Sequence, residues 1–384
     1  MALSNSVYGS VAIPRIYVDI IQYAKAIGYV DTYINGNISN IDSNDGSMWD
    51  FNPVNMNRYE CTGGSGNINF GVRFKNYDAS PENRQWSRFL GTINYFGILG
   101  HSLGTQCQEG VGINYVNSHI YNDNSGSQDS MFTASETAGI VGDPNACGNE
   151  VGFSLYEIIK EGGYPEDVNW SRYSFYFYKQ AAQNTDYPFQ DYEYLDIGSL
   201  TAGRYFDFPH SANLQMNINH SFDGVKSKRT SGGSDITEIL YTKPSWGNLP
   251  AWEHIDTSNY NNPEDYITNE NYSNVTNKSR RSWELTFSYL DKDNAFPKNQ
   301  GGNLLGEYLS AYGSFDDPSI GSKIKQNLVN NFIGLTMGGQ IPFIFQPDKT
   351  KKDFCMCKLK SNGISIQQSA PDLYTCKLSF VEVW

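Results

Sequence analysis

Three segments near the C-terminus alternate apolar and polar residues with the two-residue period of a β-strand. In the first, residues 282–287, Trp283, Leu285 and Phe287 alternate with polar residues. The other two repeat the alternation at Ile341, Phe343 and Phe345, and at Tyr374, Cys376, Leu378 and Phe380. Because successive strand side chains point to opposite faces, the pattern predicts strands with one buried face. An apolar stretch with helical spacing separates the first two strands, so we predict a strand–helix–strand block that ends on the last strand of a sheet.

The composition is that of an aromatic, weakly charged chain. Of its 384 residues, 27 are Tyr, 21 are Phe and 7 are Trp. Charged residues make up 18%, below the roughly 25% typical of soluble proteins. This profile favours a mainly β protein with many turns, and the length indicates two or three domains.

The net charge of −13 argues against nucleic acid as a partner, because nucleic-acid-binding proteins need a basic face. The basic cluster Lys226, Lys228 and Arg229 lies in a Gly/Ser-rich segment that we predict as a loop. The N-terminus lacks the basic and apolar regions of a signal peptide. No run of 18 apolar residues predicts a membrane span.

The close cysteine pair, Cys355 and Cys357, has the spacing that puts two thiols on one face of a strand. Cys376, on a neighbouring predicted strand, could bring a third thiol nearby. A structural zinc site needs four ligands, however, and no His is close in sequence. We therefore predict buried, reduced thiols and folding in a reducing cytoplasm.

The N-terminal region divides into a predicted helix and a predicted arm. Residues 14–28 place apolar residues at helical spacing between a starting Pro14 and a terminating Gly28. Residues 31–69 are rich in Asn, Ser, Gly and Asp, which predicts an extended arm with too little apolar surface to fold alone. Trp49 could anchor this arm on a neighbouring subunit, as could Phe51 and Met56.

Residues 88–208 are predicted as strands separated by Gly, Pro and Asn/Asp clusters, a pattern typical of a sandwich or jelly roll. The predicted strand segments are 89–103, 111–121, 149–160, 172–180 and 195–208, with further strands at 212–222 and 235–247. Residues 249–279 are predicted as a surface loop.

Both ends of the chain are predicted to build one platform. Residues 1–60 supply a helix and an arm to it, and residues 211–384 supply its β-sandwich. Residues 61–210 form a jelly-roll-like insertion. Such insertions are tolerated because platform termini lie close together at the surface.

Two histidines are candidate catalytic residues. A catalytic His needs a nucleophile or carboxylate partner. Ser102 adjoins His101, but neighbours on a strand point to opposite faces. His210 follows Pro209 and is predicted as a turn residue. We therefore predict structural roles for both.

Acidic loops and aromatic residues are the remaining candidates. Two oxygen-rich groups, Asp42, Asn44 and Asp45 and then Asp123, Asn124 and Asp129, lack the spacing of a calcium loop. The acidic cluster Asp191, Glu193 and Asp196 lacks the facing carboxylate pair of a glycosidase. Trp246 and Trp252 could stack on sugar rings, but such tryptophans are more often core or interface residues. We therefore predict no catalytic, cofactor-binding or metal-binding residues, and no enzyme.

Five segments carry a resemblance to a known family. They are INYFGILGHSLG (93–104), IGSLTAGRYFDFPHSANLQM (197–216), SGGSDI (231–236), SRRSWELTFSYL (279–290) and IPFIFQPDKT (341–350). In this order they resemble motifs of tail structural proteins of tailed bacteriophages, in particular marine phages. Ser102 replaces the commoner Asn of that family, and the first 90 residues match none of its motifs.

The resemblance implies a distal-tail-like protein in the phage tail or baseplate. Its expected fold is mainly β, a tail-tube-like β-sandwich with a helix and an inserted jelly-roll-like domain. Its expected partners are copies of itself in a ring, as a hexamer, and other tail proteins such as the tube, hub or fibres. The expected location is the virion, after synthesis in the host cytoplasm.

The sequence leaves two other functions open. A carbohydrate-binding module of a tail fibre or tip would use the jelly roll to bind a host surface glycan. An envelope-degrading enzyme is the third hypothesis, and the lack of a carboxylate pair or nucleophile motif argues against it.

Overall fold

The computed structural model describes residues 12–36, 47–52, 57–60, 66–74, 93–101, 116–122, 128–130, 137–141, 153–158, 170–179, 194–214, 216–221, 225–239, 280–296, 327–350, 354–361 and 363–383. The fold is mainly β, as the sequence predicts.

The strands, in chain order, are β1 (Arg15–Asp19), β2 (Val30–Gly36), β3 (Asn57–Glu60), β4 (Gly66–Phe74), β5 (Tyr95–His101), β6 (Val116–Asn122), β7 (Gln128–Ser130), β8 (Thr137–Val141), β9 (Phe153–Ile158), β10 (Trp170–Lys179), β11 (Tyr194–Asp207), β12 (Asn217–Ser221), β13 (Val225–Arg229), β14 (Asp235–Ile239), β15 (Arg280–Asp291), β16 (Phe343–Gln346), β17 (Cys355–Leu359), β18 (Ser365–Ala370) and β19 (Leu373–Glu382). The helical segments are α1 (Ile20–Ala26), a 3-10 turn (Ser47–Trp49), α2 (Lys292–Ala295) and a π-helix (Val329–Gly334).

The described strands form one long sheet, one smaller sheet and a separate hairpin. The long sheet has 12 strands, and its main path runs β12–β15–β19–β17–β16–β1–β11–β5–β9–β8. At its sides β18 pairs with β19, and β3 pairs with β11. The smaller sheet has the order β2–β4–β10–β6–β7, and β13 pairs with β14. Every described pairing in the long sheet is antiparallel, for example β1 with β11 and β15 with β19.

The first and third predicted C-terminal strands are confirmed as β15 and β19, with the predicted alternation of facing. The second prediction is wrong in part, because β16 begins at Phe343, after Ile341, and is buried on both faces. On β15 Trp283, Leu285 and Phe287 are buried, and the residue between the first two, Glu284, is exposed. The predicted strand segments between residues 88 and 208 are likewise confirmed as β5, β6, β9, β10 and β11.

The predicted helix over residues 14–28 is wrong in its first half. Residues Arg15–Asp19 form β1, which lies between β11 and β16 in the long sheet. Ile, Tyr and Val in this stretch favour strands, and pairing on both sides overrides the helical spacing. The helix α1 begins only after Asp19. Gly28 ends it as predicted, with a φ of +76° that favours glycine.

Two clusters of buried side chains pack against the long sheet. One lies where β5 and β11 face the smaller sheet, and it contains Phe96, Leu200, Phe70 and Tyr173. The other surrounds the C-terminal strands and is mostly aromatic. Many of its rings meet edge to face: Phe380, for example, contacts the rings of three neighbouring phenylalanines in this way. Edge-to-face ring pairs contribute about 0.5–1.5 kcal/mol each beyond their buried area.

The prediction of an unfolded arm over residues 31–69 is wrong for the part of it that the structure describes. Strands β2 and β4 of this region pair with each other in the smaller sheet, and β3 joins the long sheet. Trp49 and Phe51 are buried within their own chain, at 1% and 2% exposure. They are therefore core residues rather than anchors on a neighbouring subunit. Met56 lies outside the described residues.

The hydrogen bonds of the long sheet cross the predicted domain boundaries. Strand β1, from residues 1–60, pairs on one side with β11, from the predicted insertion. On its other side it pairs with β16, from residues 211–384. The division into platform and insertion stays a prediction, but the three segments share one continuous sheet.

Candidate functional site

A cluster of charged side chains lies on one face of the long sheet. Arg15 Nε is 2.6 Å from Asp207 Oδ1, and Arg15 Nη2 is 3.1 Å from Asp207 Oδ2. Lys349 Nζ approaches the same carboxylate at 3.2 Å, and Arg15 Nη1 lies 3.8 Å from Glu157 Oε1. The guanidinium also covers the ring of Tyr205, 3.9 Å from its centroid. The cluster thus joins β1, β11, β9 and the turn after β16.

The charges of this cluster balance one another. Burial alone would raise the pKa of Asp207, but hydrogen bonds and charges from Arg15 and Lys349 lower it below its usual value. Burial, together with the neighbouring Glu157, raises the pKa of Tyr205 to about 12. Two cations face two carboxylates, so the cluster has no surplus charge to attract an ion. Its geometry suits holding strands in register.

A buried carboxyl lies at the other end of β1. Asp19 is fully buried where β1 passes into α1, and its Oδ1 accepts a hydrogen bond from the backbone N–H of Gln22, 2.9 Å away. Across the sheet the hydroxyls of Thr201 and Tyr95 are 3.1 Å apart. Burial raises the pKa of Asp19 to about 7, because a charged carboxylate is disfavoured away from water.

Asp19 acts as the N-cap of α1 and was missed in the sequence. The signal was present: an Asp followed three residues later by Gln22, just before an apolar run, resembles a capping box. The predicted helix start at Pro14 precedes this cap. A carboxyl with a pKa near 7 can serve in acid–base chemistry, but here the geometry gives it a capping role.

The paired cysteines lie as predicted. Cys355 Sγ and Cys357 Sγ are 3.3 Å apart on β17, and both are buried thiols outside any disulfide. Cys376 does not join them, because Cys357 pairs with Glu382, six residues further along β19, about 20 Å away at strand spacing. Burial raises the pKa of Cys355 well above its usual value and that of Cys376 to about 12. The thiols of Cys355 and Cys376 therefore stay protonated and unreactive.

Of the two histidines, His210 lies in a bend, as predicted. Its Nδ1 is 2.7 Å from the Ser211 carbonyl oxygen, and its ring lies 6.1 Å from that of Phe287. His101 is the last residue of β5, opposite Ile197 of β11. The backbone positions agree with structural roles at a bend and at a strand end.

Most of the other candidate site residues lie outside the described residues. Asp129 and Asp196 lie on β7 and β11. Those outside the described residues are Asp42, Asn44, Asp45, Asp123, Asn124, Asp191, Glu193, Trp246 and Trp252, together with Ser102, Cys61, Cys107 and Cys147. Within the described ranges, no three His, Cys, Asp or Glu side chains form a group that could hold a metal ion.

Exposed apolar side chains gather along one edge of the long sheet. Strand β12 ends the main path of this sheet and pairs with β15. Leu214, Met216 and Ile218 are 95%, 40% and 48% exposed there, and Tyr289 of β15 is 73% exposed. Asn213, just before Leu214, donates a 3.0 Å hydrogen bond to Ser288, just before Tyr289. We call these four residues the apolar edge. They are spread along the edge, since Ile218 lies opposite Trp283, six residues from Tyr289 on β15. Apolar side chains exposed along a sheet edge are typical of interaction surfaces.

The hairpin of β13 and β14 follows this edge in sequence. All of β13 is exposed, and so are residues 235–238 of β14. Its turn is closed by hydrogen bonds between Thr230 and Ser234, and Gly233 adopts a φ of +86°. The predicted loop around the basic cluster is therefore wrong. A strand exposed on both faces shows no apolar alternation, so its sequence gives no strand signal.

No protein-family model matches this chain, and no curated protein is detectably similar to it. None of the helices in the described residues is long and apolar enough to cross a membrane.

Proposed function

We propose that this chain is a structural subunit of a tailed bacteriophage, forming a distal-tail-like ring in the tail or baseplate. The observation that carries the proposal is the apolar edge. Leu214, Met216, Ile218 and Tyr289 are exposed together beside the end strand of the long sheet. Burying such a surface against another protein is favourable by about 25 cal/mol per Å² of apolar area, so the edge favours a subunit of a larger assembly.

Two of the motifs behind the family resemblance contribute to this edge. The segment 197–216 runs through β11 and ends at Leu214 and Met216, and the segment 279–290 contains β15 with Tyr289. Some of the residues that suggest a tail protein thus lie at the surface suited to assembly. This agreement supports a ring role more than either observation alone.

The architecture is compatible with the expected finer fold. Part of the long sheet and the smaller sheet enclose one apolar cluster between them, which is how a β-sandwich buries its inner faces. We propose that this region corresponds to the sandwich and jelly-roll-like parts of a tail protein.

In the proposed particle the chain contacts copies of itself in a hexameric ring and links the tail tube to the host-recognition apparatus. Its location is the virion, after synthesis in the host cytoplasm. The role is one of assembly rather than catalysis.

Localisation in purified particles tests the proposal. Antibodies against the recombinant chain should label one end of the tail in gold-labelled electron micrographs, and quantitative mass spectrometry should give about six copies per tail. The capsid and tube proteins of the same particles are the internal controls. Absence of the chain from density-purified virions would overturn the proposal, and labelling at the neck would overturn the distal assignment.

A further inference from the structure

We infer that the β13–β14 hairpin is an arm that binds the acidic body of a second copy of this chain. The inference rests on the proposed function, since it names the contact by which the proposed subunits join. It is carried by the exposure of the hairpin and by the distribution of charge between the hairpin and the rest of the chain.

The hairpin lacks the packing that ordinarily stabilises two strands. Each strand is five residues long, and an isolated two-stranded hairpin is marginally stable in water. Register places Val225 and Ser227 on one face and Lys228 with its partner Ile236 on the other. Val225 is 45% exposed and Ile236 is 61% exposed. Each face therefore presents an apolar side chain that a partner could cover.

The hairpin is basic on an acidic protein. Residues 225–239 carry Lys226, Lys228 and Arg229 against Asp235 and Glu238, a net charge of +1. Because the whole chain has a net charge of −13, the remaining residues together carry −14. Arg229 Nε lies 3.9 Å from Asp235 Oδ1. Lys226 and Lys228, in contrast, form no ion pair with any residue that the structure describes. These two lysines are the charges available to a partner.

A second copy fits this surface better than a nucleic acid does. The phosphates of a nucleic acid could pair with Lys226 and Lys228, but they offer no apolar surface to Ile236, which lies on the same face of the hairpin. Another copy supplies acidic side chains to the lysines and can cover Ile236 beside them. Because the hairpin differs from the body surface that receives it, the contact is head-to-tail, the type that closes into rings.

The lysines can be tested by charge reversal with a matched control. The variant Lys226→Glu with Lys228→Glu changes the net charge by −4, and so does the control Lys360→Glu with Lys377→Glu, whose lysines are exposed elsewhere. By sedimentation velocity and native mass spectrometry, we expect the hairpin variant to weaken self-association at least tenfold. The control should weaken it less than threefold.

Equal weakening by both variants would show a general charge effect and overturn the inference, as would no weakening by either. Tight DNA binding by the wild type that is lost in the hairpin variant, with self-association unchanged, would also overturn it. If the wild-type ring forms and is found in virions while the hairpin variant still assembles, only the arm inference fails. If the wild type is monomeric and absent from virions, the proposed function fails.

A second measurement does not depend on charge. A photo-crosslinking residue in place of Ile236 should give adducts between two chains, and mapping them by mass spectrometry should locate the receiving surface. Adducts formed only within one chain would overturn the inference. Thermal unfolding of each variant verifies folding, and we expect little change because the hairpin adds no side chain to either buried cluster.

Discussion

Replacing Asp19 by Asn should remove a pH dependence of stability that comes from one buried carboxyl. Asp19 is fully buried at the start of α1, and burial raises its pKa from about 4 in the unfolded chain to about 7. Between these values the folded state binds more protons than the unfolded state does. The free energy of unfolding therefore falls as pH rises through this window, at up to about 1.4 kcal/mol per pH unit.

The size of the effect follows from the difference in pKa. About three pKa units correspond to about 4 kcal/mol, which is fully present as stability below pH 4 and is lost above pH 7. Asn does not ionise, and it remains an effective N-cap for the Gln22 N–H. The stability of Asp19→Asn relative to wild type should therefore rise by about 4 kcal/mol between pH 4 and pH 8.

Urea unfolding followed by tryptophan fluorescence at half-unit pH steps measures this difference. Asp207→Asn is a control of opposite sign, because Arg15 and Lys349 lower the pKa of Asp207. The wild-type stability that Asp207 provides is present above its unfolded pKa and is lost as pH falls. A difference between Asp19→Asn and wild type that stays constant from pH 4 to pH 8 would refute the reasoning.

Three further variants test the packing of the long sheet. Trp283→Ala should cost about 3–5 kcal/mol of unfolding free energy in denaturant titration, because the ring is 2% exposed; an unchanged midpoint would contradict its burial. Gly203→Ala should destabilise by about 1–3 kcal/mol or more, since its Cβ would lie 2.0 Å from the Val18 carbonyl oxygen; Gly363→Ala, with no neighbour within 4 Å, is the neutral control. Deleting residues 380–384 should abolish soluble expression, because β17 loses its pairing with β19 and the Arg281 guanidinium loses Glu382, 3.0 Å away; a soluble, folded truncation would contradict this.

Strands with one buried face were predictable from sequence. Trp283, Leu285 and Phe287 alternate with polar residues, and all three side chains are buried. They belong to β15, which lies between β12 and β19 in the sheet. The spacing of apolar residues follows the burial of each face, so it predicts a strand wherever one face is buried and the other is exposed.

The errors arise where that condition fails. Strand β1 is buried on both faces, at Ile16 and Val18 as well as Tyr17, so its apolar run shows no alternation. Strand β13 is exposed on both faces and shows none either. The apolar edge was not predicted at all, because an exposed Leu214 looks the same in sequence as a buried one. Only the three-dimensional arrangement distinguishes them.

The position of β1 has a consequence for how the protein is made. Tyr17 donates a hydrogen bond to Gln346, 329 residues later in the chain, so β1 must wait for β16, one of its two neighbours, until the residues between them have been synthesised. At about 5–20 residues per second, that wait lasts roughly 15 to 65 seconds. The nascent chain must keep β1 out of wrong pairings during this time. The long sheet is therefore completed only after β16 has been made, which delays any association that needs the finished sheet.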